Sequence, residues 1–224
     1  MTSRAIDDVL TFPEGSLVIL TGLPGAGKST LLTRLYGLTG AETAPVPAGA
    51  GVRIIDSRQA RNTWSRRLSA APKPLRTLVV HLTHVSRIAR ALAAGHTVVA
   101  HNRGAWPHVL YGFAHLARRN RREFHLIMLD VDARTALAGQ RARGRVVSTA
   151  TLRRHGRRWR RLVSKVRRGD PAPATSVTLL SREHVDALRL IRFVPGGYSA
   201  APRAVDRQGN GGRPAGQDGR PVGK

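Results

Sequence analysis

Between the apolar run Leu17–Leu20 and the stretch Lys28–Leu38 stands Gly22-Leu23-Pro24-Gly25-Ala26-Gly27-Lys28-Ser29-Thr30. The pattern is glycine, four residues, then Gly-Lys-Ser, with a strand predicted before it and a helix after it. That order confines the chain to folds in which a strand delivers a glycine-rich loop to a helix N-terminus. Glycines let the backbone curl its N–H groups around an anion. The helix N-terminus adds the positive end of its dipole. Lys28 then reads as a point charge for β- and γ-phosphates, and the Ser29 hydroxyl as a Mg²⁺ ligand, with Thr30 extending the same turn.

The rest of the chain continues the alternation. Val52–Ile55, His96–Ala100, Phe124–Leu129 and Val177–Leu180 read as further strands. Helices are expected over Ser57–Ser69, Arg76–Ala94, Trp106–Asn120, Ala133–Arg143, Thr149–Arg168 and Arg182–Leu190. In Arg76–Ala94, Leu78, Leu82, Val85, Ile88, Ala89 and Leu92 fall at helical spacing. Continuous apolar strands separated by helices imply a mostly parallel five-stranded sheet covered on both faces, an α/β P-loop NTPase fold. The domain is expected over 16–196, after an N-terminal segment 1–15. Residues 197–224, rich in Gly, Pro and Arg without periodicity, are expected to be a disordered tail.

Composition excludes some functions and leaves others open. There is no cysteine, hence no disulfide framework and no thiolate chemistry. Residues 1–15 carry acids and lack the core of a signal peptide, and the apolar runs have strand length, so a cytoplasmic protein without membrane segments is expected. His81 and His84 lie three apart on a predicted helix with no third ligand nearby, and no zinc site is expected. Trp64 and Trp106 read as packing residues.

The net charge is +25. Lysine occurs only at positions 28, 73, 165 and 224, all the other basic residues being arginine. Arginine with abundant Ala, Gly and Pro is what GC-rich coding produces, so total charge argues little. Its clustering says more. In the helix around 153–168, basic residues crowd every face except that of Leu152, Trp159, Leu162, Val163 and Val166. Such a face either binds a nucleic-acid strand or simply reflects arginine-rich composition.

The loop Gly22–Thr30 resembles that of small P-loop kinases, among them the polynucleotide 5′-kinase, zeta-toxin and AAA-domain ATP-binding families. The resemblance implies binding of ATP and Mg²⁺, with Gly22 to Thr30 as the nucleotide site, Lys28 also catalytic and Ser29 on the metal. It further implies an Asp at the end of the next strand, here Asp56, as base or positioner for an acceptor hydroxyl. Arg58 and Arg61 follow, placed to hold a substrate phosphate. Asp56 equally suits a helix cap.

Where relatives carry an acid after the third strand, this chain has His101, Asn102 and Arg103. Asn102 would orient an acceptor and Arg103 contact phosphate, while His101 reads as an ordinary polar loop residue. Asp130 suits the metal network and Asp132 the cap of the next helix. The segment at about 141–150, with Arg141, Arg143 and Arg145, resembles the lid that folds over ATP. Arg141 and Arg145 are its candidate catalytic arginines, with Arg141 also on the nucleotide. The leading expectation is a small ATP-dependent kinase with an open choice of acceptor. The alternative is a nucleotide-binding module or slow ATPase that regulates a partner. A ring-forming motor lacks a matching Asp-Glu strand end.

Overall fold

The computed structural model describes residues 8–49, 51–101, 106–141, 149–196 and 203–206. Its elements in chain order are β1 (Val9–Pro13), β2 (Leu17–Gly22), α1 (Lys28–Tyr36), β3 (Val46–Pro47), β4 (Val52–Ile55), α2 (Ser57–Trp64), α3 (Lys73–Ala93), β5 (Thr97–His101) and α4 (Pro107–Arg119). They continue with β6 (Phe124–Leu129), α5 (Ala133–Arg141), α6 (Thr149–Arg167), β7 (Ser176–Leu180), α7 (Arg182–Ala187), β8 (Leu190–Val194) and β9 (Arg203–Asp206).

The main sheet runs β3-β4-β5-β2-β6-β7-β9, parallel throughout except for the β3–β4 pair. Every residue of β2, β5 and β6 is buried. Both faces of a central parallel strand are covered by helices, so its sequence is apolar without alternation. Leu17, Ile19, Leu20, Leu126 and Ile127 form the middle of the core.

The five expected strands are all present, but the sheet has seven. The two-residue β3 is too short to carry a periodic signal. The strand β9 lies inside the segment expected to be disordered and pairs in parallel with β7, from Ser176↔Arg203 to Leu179↔Asp206. Pairing satisfies the outer backbone groups of β7, an incentive that composition does not reveal. The rest of 197–224 lies outside the described residues. A second, two-stranded sheet joins β1 to β8 in parallel, Val9 opposite Leu190. It ties the start of the chain to the segment after α7.

The stripe expected on the long helix is only half used. Ile88 and Leu92 are buried in α3, whereas Leu78 and Leu82 are exposed. Among the described residues no helix is long and apolar enough to cross a membrane.

Two buried histidines set an acid limit on this core. His125 in β6 packs on Phe12 and has Nδ1 2.8 Å from the Ser176 hydroxyl. Burial pushes its imidazole down to about 4, and the buried Glu123 carboxylate 3.1 Å from Nε2 works against that push. His84 on α3 is also pushed down to about 4, by burial first and then by the neighbouring His101. Both groups bind a proton more readily in the unfolded chain, so stability is present above about pH 6.5 and lost as pH falls towards 4. A tenfold difference in proton affinity between the folded and unfolded chain corresponds to about 1.4 kcal/mol, so the loss is carried mainly by His84, His125 contributing less because of Glu123. Chemical denaturation at pH 7 and pH 5 should show this loss, with proton uptake on unfolding near pH 5. A flat profile over that range would mean that the imidazoles are not buried neutral.

Candidate functional site

Because β5 and β6 lie on opposite sides of β2, the connection order reverses at β2. The crevice of such a sheet opens at the carboxyl end of that strand. Gly22, Asp56, His101 and Asp130 all stand at carboxyl ends of adjacent strands, with Leu20 opposite His101 and Gly22 opposite Leu129.

The chain leaves β2 at Gly22, turns with the Ala26 N–H donating to the Leu23 carbonyl (3.0 Å), and enters α1 at Gly27. Gly27 has φ 94°, a left-handed conformation open to glycine and costly for other residues. No side chain caps α1, and no acid stands in its first turn. The first amides of that helix are thereby left to an anion. Lys28 is buried, its Nζ donating to the carbonyls of Gly22 and Leu23, both at 2.8 Å. The ammonium is therefore stretched back along the loop rather than pointing into solvent.

Asp56 caps α2. Its Oδ1 accepts from the Arg58 N–H at 2.8 Å, and the Gln59 side chain returns to the Asp56 N–H, completing a capping box. The same oxygen lies 3.3 Å from His101 Nδ1. Ser29 of the phosphate loop is also near enough to favour the ionised carboxylate. Burial opposes ionisation of Asp56, but His101, the Arg58 amide and Ser29 outweigh it and hold the carboxyl well below the usual range. The cap and the carboxylate beside the phosphate loop are thus one residue in both roles. His101 corrects the sequence expectation: it is the last residue of β5, buried, and turned onto Asp56.

Other expected residues are distributed differently. Arg58 is half-buried and its guanidinium lies against Gly40 in the loop after α1. Arg61 is half-buried on the same helix. Asp130, just past the carboxyl end of β6, is engaged by α6. It accepts from Trp159 Nε1 and Arg167 Nη2, both at 3.1 Å, and so anchors α6 to the end of β6. Asp132 takes the capping role, accepting from the Thr135 N–H at 2.9 Å. Trp106 packs, and Arg158 of α6 stacks on its ring at 3.7 Å. Asn102, Arg103, Arg143 and Arg145 lie outside the described residues. Arg141 ends α5, and its side chain lies outside them as well.

The helix that leads to the expected lid presses on the phosphate loop. A Cβ built on Gly139 of α5 would come 2.5 Å from the Gly25 carbonyl oxygen. Gly139→Ala should therefore lower nucleotide affinity by about tenfold or more and forgo the roughly 0.5–1 kcal/mol that Gly→Ala normally gives in a helix. Gly112→Ala in α4, where a Cβ meets nothing within 4 Å, should gain that stability. Titration calorimetry and melting of the two variants make the comparison, and equal behaviour would deny the close approach.

A cleft of about 390 Å³ opens beside the loop, lined by Gly25, Gly27, Thr30, Arg34, Thr135, Gly139, Arg182 and Asp186. The sequence reading missed Arg182 and Asp186, an ion pair at 2.8 Å in α7. One signal was present: Arg182 follows the carboxyl end of β7, the side of the sheet where ligands bind. On the far side of α6, Arg157, Arg160, Arg161, Lys165 and Arg168 line a shallow groove of about 670 Å³.

The hard hydroxyl oxygen of Ser29 suits Mg²⁺, which keeps several waters and takes its remaining ligands from phosphate. Among the described residues no three His, Cys, Asp or Glu side chains gather as a metal cage. The donor set thus fits a metal carried in with a nucleotide.

Fold and loop define a P-loop NTPase-type nucleotide-binding protein. Residues 17–164 match the AAA domain family, over half of the chain, and the chain belongs to that family. A chain of the Pnkp1/Rnl/Hen1 RNA repair complex superposes with a TM-score of 0.53 at 12% identity, covering 86% of this chain and 82% of that one. A gluconokinase from Sinorhizobium meliloti 1021 gives a TM-score of 0.46 at 12% identity, covering 79% and 93%. The tunicamycin resistance protein of Deinococcus radiodurans gives 0.45 at 13%, covering 71% and 87%. No curated protein sequence matches the chain.

Proposed function

We propose that this chain is a small kinase that moves the γ-phosphate of ATP to a hydroxyl. The observation that carries the reading is Asp56: a buried carboxylate at the carboxyl end of β4, 3.3 Å from His101 Nδ1 and held ionised near the phosphate loop. An ionised acid costs stability to bury, and its place at a strand end beside the phosphate loop supports a role toward an acceptor hydroxyl.

In this reading the loop amides and Lys28 bind the β- and γ-phosphates. Mg²⁺ held by Ser29 would neutralise phosphate oxygens. The acceptor O–H yields its proton to Asp56 as its oxygen bonds to phosphorus. The bond to the bridging oxygen breaks, its electron pair leaving with ADP. Arg58, Arg61, Asn102 and Arg103 are proposed for the acceptor. Arg141 and Arg145 are proposed to close over the nucleotide and offset developing charge. The cleft between α1, α5 and α7 is assigned to the nucleoside.

Two acceptor classes fit: a nucleic-acid 5′-hydroxyl or a small molecule. The arginine-lined groove on α6 favours the first, as does the likeness in fold to a chain of an RNA repair complex. A nucleotide-gated binding module is the second reading, favoured by Asp56 already serving fully as a helix cap.

The experiment follows the label. The protein and its Lys28→Ala form are incubated with γ-labelled ATP, Mg²⁺ and a panel of 5′-hydroxyl RNA, DNA, nucleosides and sugars. Label on an acceptor, lost in Lys28→Ala, establishes the kinase and its substrate class. Label only in free phosphate, or remaining on ATP, overturns transfer in favour of an ATPase or binding module.

A further inference from the structure

The Asp56 carboxylate needs an orienting partner. Rotation of an aspartate about its last torsion is soft and roughly two-fold. The Arg58 amide at 2.8 Å and the Ser57 hydroxyl at 3.5 Å hold one oxygen, Oδ1, both from the helix that Asp56 itself caps. His101 supplies a third hold on the same oxygen, at 3.3 Å and from a different element of the sheet. A carboxylate only accepts, so His101 Nδ1 must carry the proton in this contact.

The placement of His101 is itself rigid. It ends β5, paired in register with Leu20 of β2, and the ring is buried. His84, buried on α3, is its neighbour. Neither the Arg58 nor the His101 contact uses Oδ2.

We propose that His101 is a positioning residue: its Nδ1–H pins Asp56 Oδ1 and turns Oδ2 toward the acceptor hydroxyl. The inference rests on the reading of Asp56 as the base. It follows the general arrangement in which a catalytic base is oriented by a third group. His101 itself exchanges no proton with substrate. In this chain it fills the strand end where a second acid was expected.

His101→Met and His101→Gln test the inference, being nearly equal in size, with only the second keeping an N–H donor. Each is measured for Mg·ATP affinity by calorimetry and for γ-phosphate turnover, using the best acceptor of the panel, or water if none is labelled. Turnover in His101→Met should fall about tenfold or more with ATP affinity within about twofold, and His101→Gln should recover most of it. Wild-type turnover in His101→Met, affinity lost in step with turnover, or no recovery in His101→Gln overturns the positioning role alone. A wild-type protein without any turnover overturns the phosphotransfer reading, and this inference with it. A variant that does not fold is covered by nitrogen-15 NMR of the unaltered histidine. The His101 Nδ1–H resonance should be protected from exchange and should move in Asp56→Asn, and its absence overturns the contact.

Discussion

Lys28→Ala is expected to abolish tight ATP binding, the largest effect of any single substitution in this protein. The side chain is buried and already stretched along the loop by two carbonyls at 2.8 Å. On binding, its ammonium has only to exchange carbonyl oxygens for phosphate oxygens, so little ordering cost remains. Hydrogen bonds to a charged partner contribute about 1.5–3 kcal/mol each, and two of them correspond to a loss of roughly 10²–10⁴ in affinity. Alanine also strands the Gly22 and Leu23 carbonyls, which should lower the melting temperature of the nucleotide-free protein slightly. Calorimetry with Mg·ATP makes the measurement. Unchanged affinity would sink the assignment of Gly22–Thr30 as the phosphate site.

Asp56→Asn separates catalysis from capping. The asparagine oxygen still accepts from the Arg58 amide, and asparagine caps helices about as well as aspartate, so α2 should lose little. What disappears is the negative charge that would take the acceptor proton or hold its hydroxyl. A positioned general base contributes typically about 10²–10⁴ in rate, and turnover should fall by that much with ATP affinity nearly intact. Such a split between turnover and binding marks an interaction made in the transition state. Parallel loss of both would instead assign Asp56 to the cap alone, leaving a nucleotide-binding module. The pH experiment on His84 and His125 must be kept apart from this one, because Asp56 is ionised throughout the window in which those imidazoles charge.

The sequence alone determined the fold class and the phosphate loop. Both depend on local causes: an apolar run of strand length, glycines where the backbone must curl, and a helix start without a side-chain cap. Five central strands were legible because a strand buried on both faces has little room for polar residues. The capping role of Asp132 was legible too, since a cap acts over three residues.

Tertiary structure decided whatever depends on which strand ends become neighbours. Asp56 and His101 are 45 positions apart and meet because β4 and β5 pair in register. Asp130 ties α6 to the end of β6 because Trp159 and Arg167, far along the chain, reach it. The edge strand β9 was illegible for the same reason: an edge strand is stabilised by the strand it pairs with, and its own composition carries little of that signal. Arg182 and Asp186 entered the site only through the packing of α7 beside α1. Local chemistry writes helices, turns and phosphate loops into short windows of sequence. A catalytic constellation is written in distances across the sheet, and those exist only after folding.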